Sequence, residues 1–321
     1  MASPPQFDVL GFGAVAVDDL LYVDEYPQAE QKVHVRYRQR QCGGLTGTAL
    51  VAAARLGARA AYVGVLGDDE LSQAVAEGFR REGIDLSYCV RRPDARPAHS
   101  TIIVDETRGT RTIFSSVDGL IGPDPSLPEA EVIRAARVLV IDHHGLEGTL
   151  RAVQIARQSA VQVVADFERD PGPPFEGLLA LVDHLIVSER FAREQTGESD
   201  APAAARALES PHRKAVVVTC GRSGCWYLGG ATGEVPRHCP AFPVDVIDTT
   251  GCGDVFHGAY AAALAEGVDL PARVVFASAV AALKATRRGG QAGIPSRGAV
   301  DEFLAESASG GGSRSADNRS L

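Results

Sequence analysis

Val244-Asp-Val-Ile-Asp-Thr-Thr-Gly-Cys-Gly-Asp-Val-Phe-His-Gly-Ala259 sets three features in a row: a strand-like end over 244–248, a glycine turn and a helix. The helix is expected from about Asp254 through Ala265, because Val255, Phe256, Ala259, Tyr260 and Ala263 recur at helical spacing. A glycine turn entering a helix leaves several backbone N–H groups without partners at the positive end of the helix dipole. Such a turn is a seat for phosphate-like anions, and Gly251 and Gly253 permit the close backbone approach this requires. Asp254 falls in the first turn of the same helix. There the N–H groups favour its ionised form, so that it can take up a proton. A base beside an anion seat suits phosphoryl transfer to a hydroxyl, which rests on positioning and charge stabilisation. An Asp that merely caps a helix after a glycine turn is an equally good reading of these residues taken alone.

Strand-like and helix-like runs alternate along the rest of the chain. Phe7 to Leu10, Ala60 to Leu66, Val138 to Ile141, Val161 to Ala165, His184 to Val187 and Ala215 to Thr219 are short and almost continuously apolar. That is the pattern of strands buried on both faces of a mostly parallel sheet. Thr48 to Leu56, Glu70 to Glu82, Thr149 to Gln158 and Phe191 to Thr196 read as amphipathic helices. The fold expected is therefore α/β, with a mostly parallel central sheet and helices on both faces. Val33 to Arg40 alternates residue by residue, and Ser100 to Asp105 pairs naturally with Thr110 to Ser115 across Glu106-Thr-Arg-Gly109. These segments predict a small β-sheet lid, built from about 15–42 and 98–116, with one wet face. Arg36, Arg38 and Arg40 would share that solvated face. Residues 1–308 are expected to form one domain, and 309–321, rich in Ser, Gly and Arg, a disordered tail.

Asp and Glu outnumber Lys and Arg by 41 to 32, so no basic surplus exists to hold a nucleic acid. No apolar run approaches the roughly 20 residues that span a bilayer, and the N-terminus lacks the pattern of a signal peptide. The 6 scattered cysteines read as reduced thiols of a cytoplasmic protein. Cys220, Cys225, His238 and Cys239 do not have the spacing of paired zinc ligands and read as small buried residues. Gly11-Phe-Gly-Ala-Val-Ala16 fits a dinucleotide pattern, but the extended run Val17 to Val23 follows it where a helix should open. No P-loop pattern occurs.

Asp248 to Ala259 resembles the C-terminal signature of the ribokinase family, the PfkB-type carbohydrate kinases. Gly43-Gly-Leu-Thr-Gly-Thr-Ala-Leu-Val-Ala-Ala-Ala-Arg-Leu-Gly57 is similar to that family's N-terminal di-glycine signature, and Gly64-Val-Leu-Gly-Asp-Asp69 follows it. The resemblance covers about residues 7 to 305 and implies a ribokinase-like kinase using ATP and Mg2+, with K+ as a further candidate. It implies that Asp254 deprotonates the acceptor hydroxyl and that the N–H groups of Gly251, Cys252 and Gly253 hold the transferring phosphoryl group. Asp18, Gly43 and Gly44 would bind the sugar, with Thr48 where many members carry Asn, and Lys32 reaching in from the lid. Thr219-Cys-Gly-Arg-Ser-Gly224 resembles the nucleotide segment, giving Thr219, Gly221 and Gly224 as contacts. Lys284 to Pro295 resembles the loop beside the adenine, giving Ala285, Gly289 and Gly290, with Asp248 a candidate ligand for a monovalent cation.

Ser188-Glu-Arg-Phe191 departs from the family's N-x-x-E motif, so its magnesium role passes to Glu189, Asp166 or waters. His143-His144 either faces the substrate or forms a polar loop at the sheet's edge. The lid pattern, with Glu25-Tyr-Pro27, Lys32 and Arg111-Thr-Ile113, looks most like ketohexokinases and the kinase of 6-deoxy-6-sulfofructose. A ketohexose-like sugar is therefore the expected acceptor. The sulfonated sugar comes second, since His144 and Ser115 stand where cationic or amide residues would be expected, and a nucleoside comes third. A sugar-binding regulator on a kinase scaffold is the non-enzyme alternative. The family also suggests a homodimer formed through the lid strands.

Overall fold

A computed structural model of the chain describes residues 6–230 and 233–310. The chain opens with strands β1 (Phe7–Phe12), β2 (Ala16–Val23) and β3 (Tyr37–Gly43), then helix α1 (Leu45–Arg55). Next come β4 (Ala60–Tyr62), β5 (Val65–Leu66), α2 (Glu70–Arg81), β6 (Val90–Arg91) and the hairpin β7 (Ala98–Asp105) and β8 (Thr110–Ser116). The middle alternates α3 (Ala130–Arg134), β9 (Ala136–Asp142), α4 (Leu146–Arg157), β10 (Gln162–Asp166), α5 (Phe175–Leu181) and β11 (His184–Ser188). It continues through α6 (Glu189–Thr196), α7 (Ala201–Ala207), β12 (Ala215–Thr219), β13 (Cys225–Gly229) and β14 (Arg237–Cys239). Helices α8 (Cys252–Ala265), α9 (Leu270–Ala285) and α10 (Arg297–Gly310) follow.

The main sheet runs β14-β13-β12-β11-β10-β9-β1-β4, parallel from β12 to β4 and antiparallel at the β13 and β14 edge. Alternate residues of its strands enter two cores. Val138, Val140, Val164, Ile186 and Val217 pack against α1, α8 and α9 on one face. Leu139, Ile141, Val163, Leu185 and Val218 pack against α4 to α7 on the other. This two-sided burial is why the strands read as unbroken apolar runs.

A second sheet, β3-β2-β7-β8, forms the lid. Its hairpin registers Ile102 opposite Ile113 and Asp105 opposite Thr110, so the expected turn over 106–109 is found. Leu20, Tyr22 and Ile102 make its own small core. Arg36 pairs with Asp24, and Arg40 with Asp19 and Glu70, on a solvated surface.

Four boundaries differ from the sequence reading. The run from Ala60 divides after Tyr62, because Val65 and Leu66 leave the sheet edge to pair with Val90 and Arg91. The lid strand expected from Val33 begins at Tyr37, and Val33 to Arg36 is irregular. Residues 244–248 are not a strand: Ile247 and Asp248 both donate to the Ala285 carbonyl at the end of α9. Ser309 and Gly310 close α10, and 311–321 lie outside the described residues.

Helices α1 and α8 cross at Gly258, where an added Cβ would run into the carbonyl oxygen of Ala49. This contact is backbone against backbone, so no side-chain rotation can relieve it. Gly258→Ala is expected to destabilise the fold by about 1–3 kcal/mol, the range of overpacked cores. Urea unfolding would measure it, and a midpoint equal to that of the parent chain would refute the close crossing.

Candidate active site

The crossing of α1 and α8 sets the two glycine turns beside each other. Gly44 precedes α1 at φ 88, and a Cβ there would fall 2.6 Å from the Val15 Cα. Gly251 precedes α8 at φ 72, a backbone state that favours glycine. A Cβ on Gly251 would sit 3.5 Å from both Thr48 Cγ2 and Gly290 Cα, and 3.7 Å from an Asp254 carboxylate oxygen. Thr48, Gly290 and Asp254 therefore converge around the turn. The Cys252 N–H is turned back to the Thr249 carbonyl at 3.2 Å. Among the described residues, the Gly251 and Gly253 N–H groups have no backbone acceptor, which leaves them as the turn's open donors.

Asp18 reaches the same place from lid strand β2. Its carboxylate packs where a Cβ on Gly43 would stand. Burial pushes the Asp18 carboxyl up to about 6, against a lowering hydrogen bond from Ser100. Asp254 is raised well above the ordinary carboxylate range, first by burial and then by Asp166, Glu168, Asp18 and Asp142. Burial and these acids thus work against the pull of the helix N-terminus, which favours the ionised form. Asp166, at the end of β10, is raised by burial and by Glu168 and Asp142.

Asp142, at the end of β9, is fully buried and gathers the floor of the site. Its carboxylate accepts from the Ala14 N–H at 2.6 Å, the Thr46 hydroxyl at 2.9 Å and the His144 N–H at 2.8 Å. Burial works to raise it, but the His144 ring, the His143 charge and the Ala14 N–H hold it below its usual range. His143 is buried, its ring pushed down to about 4, with Nδ1 unpartnered. The two histidines thus belong to the sheet's carboxyl rim, where ligands of open α/β sheets bind.

The nucleotide-side residues lie on two loops. Thr219 ends β12, and Gly221 and Gly224 take positive φ of 55 and 87 in the turn that follows. Ala285 ends α9, and its carbonyl anchors 247–248. Gly289 has φ 83 and donates its N–H to the Asp248 carboxylate at 2.8 Å. Lys32 is exposed in the loop between β2 and β3, and no hydrogen bond or ion pair ties it to the Asp254 group. Cys225 and Cys239 face each other in register across β13 and β14, both buried.

Sequence reasoning gave no role to the contacts that fasten lid to body. Arg111 on β8 donates to the Thr249 hydroxyl at 2.8 Å, and Gln41 on β3 accepts the Gly290 N–H at 2.9 Å. Arg288 pairs with Glu106 of the lid hairpin and lies over the Tyr22 ring at 5.3 Å. Gln291 points its amide at the Thr48 hydroxyl, 3.5 Å away. These pairs are 138 to 249 residues apart in the chain, except Arg288–Tyr22 which has no such short-range signal either.

Residues 7–297 match the model of the pfkB family of carbohydrate kinases. The chain belongs to that family. Ribokinase of Bacillus subtilis is 28% identical over 295 residues, spanning 91% of this chain and 97% of that relative. Mouse (Mus musculus) ribokinase is 30% identical over 267 residues, spanning 80% and 81%. Among solved structures, a provisionally named ribokinase of Agrobacterium tumefaciens superposes with TM-score 0.87 at 31% identity, covering 94% and 98% of the two chains.

As a PfkB carbohydrate kinase the chain is an ATP-dependent phosphotransferase, and kinases of this kind use Mg2+. Ser188 in place of the family Asn caps α6, accepting the Phe191 N–H at 3.2 Å. Glu189 opens that helix, half-buried, and its charge helps raise the Cys220 thiol after burial. Asp166 fits a cation better, since its buried Oδ2 accepts no hydrogen bond, the His257 Nδ1 at 3.2 Å being engaged with the Gly253 carbonyl. Among the described residues no three His, Cys, Asp or Glu side chains are grouped to hold a metal ion alone.

Asp254 binds its proton more tightly folded than unfolded, so folding stability falls as pH rises from the unfolded value toward the folded one. Asp254→Asn removes this cost. At pH 8 it should be more stable than the parent chain by about 1–2 kcal/mol, seen as a higher melting temperature, with the gap closing toward pH 4. Scanning calorimetry at both pH values tests this, and an equal gap at both would contradict it.

Proposed function

We propose that the chain transfers the γ-phosphoryl group of ATP to a hydroxyl of a small monosaccharide, with Asp254 as the base. The observation that carries this reading is the convergence of Thr48 and Asp254 on the Gly251 turn, with Asp18, packed on Gly43, near enough to act on Asp254. The sugar lies between Asp18 with Gly43 and Gly44 on one side and Asp254 on the other, and Thr48 with Gln291 adds hydrogen-bonding groups. Lys32 joins from the lid loop. Asp254 takes the hydroxyl proton as the oxygen attacks the γ-phosphorus and the bond to the leaving ADP oxygen breaks, while the Gly251 and Gly253 N–H groups stabilise charge on the transferring group, joined by the Cys252 N–H if it leaves the Thr249 carbonyl. Once the lid closes, it excludes water that would otherwise accept the phosphoryl group.

ATP lies along Thr219, Gly221 and Gly224 on one side and Ala285, Gly289 and Gly290 on the other. Magnesium, which neutralises phosphate charge, would be held by Asp166, with Glu189 a second candidate. Asp248 is the candidate ligand for K+. Ribose is the first acceptor to test, supported by the names of the relatives. The ketohexose expected from the lid pattern is the second, supported by Arg111 reaching the phosphate turn from the lid hairpin. The cytoplasm, where ATP is abundant and thiols stay reduced, suits this activity. A homodimer through the lid is supported by its two outer strands and by Tyr37, Ile113, Phe114 and Val117, all exposed.

Release of ADP, followed over ribose, fructose, 6-deoxy-6-sulfofructose and a nucleoside, should select one sugar. With that sugar, Asp254→Asn is expected to lose about 10²–10⁴-fold in kcat while calorimetric sugar binding stays within a few-fold. Near-normal turnover would remove Asp254 from the base role. Sedimentation should report a dimer that Phe114→Glu splits; a monomer at all working concentrations would exclude the lid interface.

A further inference from the structure

The last turn of α9 hides a charge for which the reaction described so far has no use. Lys284 is fully buried, at 0% exposure. Its ammonium donates to the backbone carbonyl of Asp248 at 2.9 Å, in the chain that leads into the Gly251 turn. An ammonium has three donors, and this is its one hydrogen bond among the described residues. Withdrawing such a group from water is costly, and a Leu or Met of similar volume would fill the space without that cost. A lysine that serves only the carbonyl end of a helix can do so from the surface.

The surroundings explain what a buried cation is for. Asp248 is ionised beside the turn: burial works to raise it, but the Lys284 charge and the Thr250 and Gly289 N–H groups hold it below its usual range. Asp254 opens α8, backed by Asp166, Glu168, Asp18 and Asp142. Carbonyls at the end of α9 point at the same segment, since the Ala285 carbonyl takes the 247 and 248 N–H groups and the Ala281 carbonyl lies 3.6 Å from Cys252 Sγ. A phosphoryl group entering this turn meets negative charge on several sides. Burial lowers the Lys284 pKa, and Arg111 works in the same direction, while Cys252, Asp248 and Asp254 favour its charge. Arg111 is exposed and belongs to the lid, whereas Lys284 belongs to the body and is present whatever the lid does.

We propose that Lys284 is a positioning residue for phosphoryl transfer: a fixed internal cation under the Gly251 turn that holds its backbone and offsets the surrounding carboxylates when the phosphoryl group arrives. It acts through the turn and touches neither sugar nor nucleotide. The inference rests on the Gly251 turn being the phosphoryl seat, as proposed above.

Two neutral variants separate charge from shape. Lys284→Met removes both charge and donor, while Lys284→Gln keeps an N–H for the Asp248 carbonyl without the charge. Both should bind the sugar and ADP within about twofold of the parent chain, yet lose roughly 10–100-fold in kcat, at or below the loss from deleting one direct oxyanion donor. Affinity for ADP with aluminium fluoride and sugar, a mimic of the group in flight, should fall in parallel with kcat, and Lys284→Arg should recover part of both. If Lys284→Met does not fold, Lys284→Gln decides. A Gln variant with parental kcat would make the role purely structural and overturn the inference. So would a loss of kcat with no loss of affinity for the mimic. Failure of the parent chain itself to capture ADP with aluminium fluoride would instead defeat the reading of the turn.

Discussion

The close crossing of two helices at Gly258 is the constraint on which the site depends. Helix α1 starts at the Gly43-Gly44 turn and α8 at the Gly251 turn, some two hundred positions away. Because Gly258 lets the α8 backbone lie against the Ala49 carbonyl, the two N-terminal ends emerge side by side. Thr48 then abuts Gly251, and the residues around the two glycine turns stand together. The parallel strands supply the rest of the floor, since Asp142 and Asp166 end neighbouring strands in register.

Bringing these ends together gathers acids as well. Asp18, Asp142 and Asp166 are buried near half-buried Asp254, with exposed Glu168 beside them, and this crowding works against the helix dipole at Asp254. The arrangement suits a ligand that comes with cations of its own.

Much of the fold was legible because two-sided burial leaves a plain mark. Val138 to Ile141 and Ala215 to Thr219 read as apolar without interruption and are central strands. The lid hairpin was legible because its turn chemistry and strand alternation agree. Residues 244–248 misled, since Val and Ile in alternation look like a strand, while here they hang from a helix end by hydrogen bonds to Ala285. Asp254 and Gly251 were singled out because the glycine turn and its helix are written in consecutive residues, and Asp18, Gly43 and Thr48 through the resemblance to the family. Arg111, Gln41, Gln291 and Lys284 were given no role because each meets its partner only through the folded chain. The raised state of Asp254 was missed for the same reason: the acids that raise it come from three distant segments.

One feature of the lid has a geometric consequence. Asp18 rides on β2 in the lid sheet, and Asp254 belongs to the body, so an acceptor that engages both must bridge the two. On the proposed function, the spacing of the two carboxylates would bear on how long an acceptor can be, because Arg111, Gln41 and Arg288 tie the lid to the body at other points.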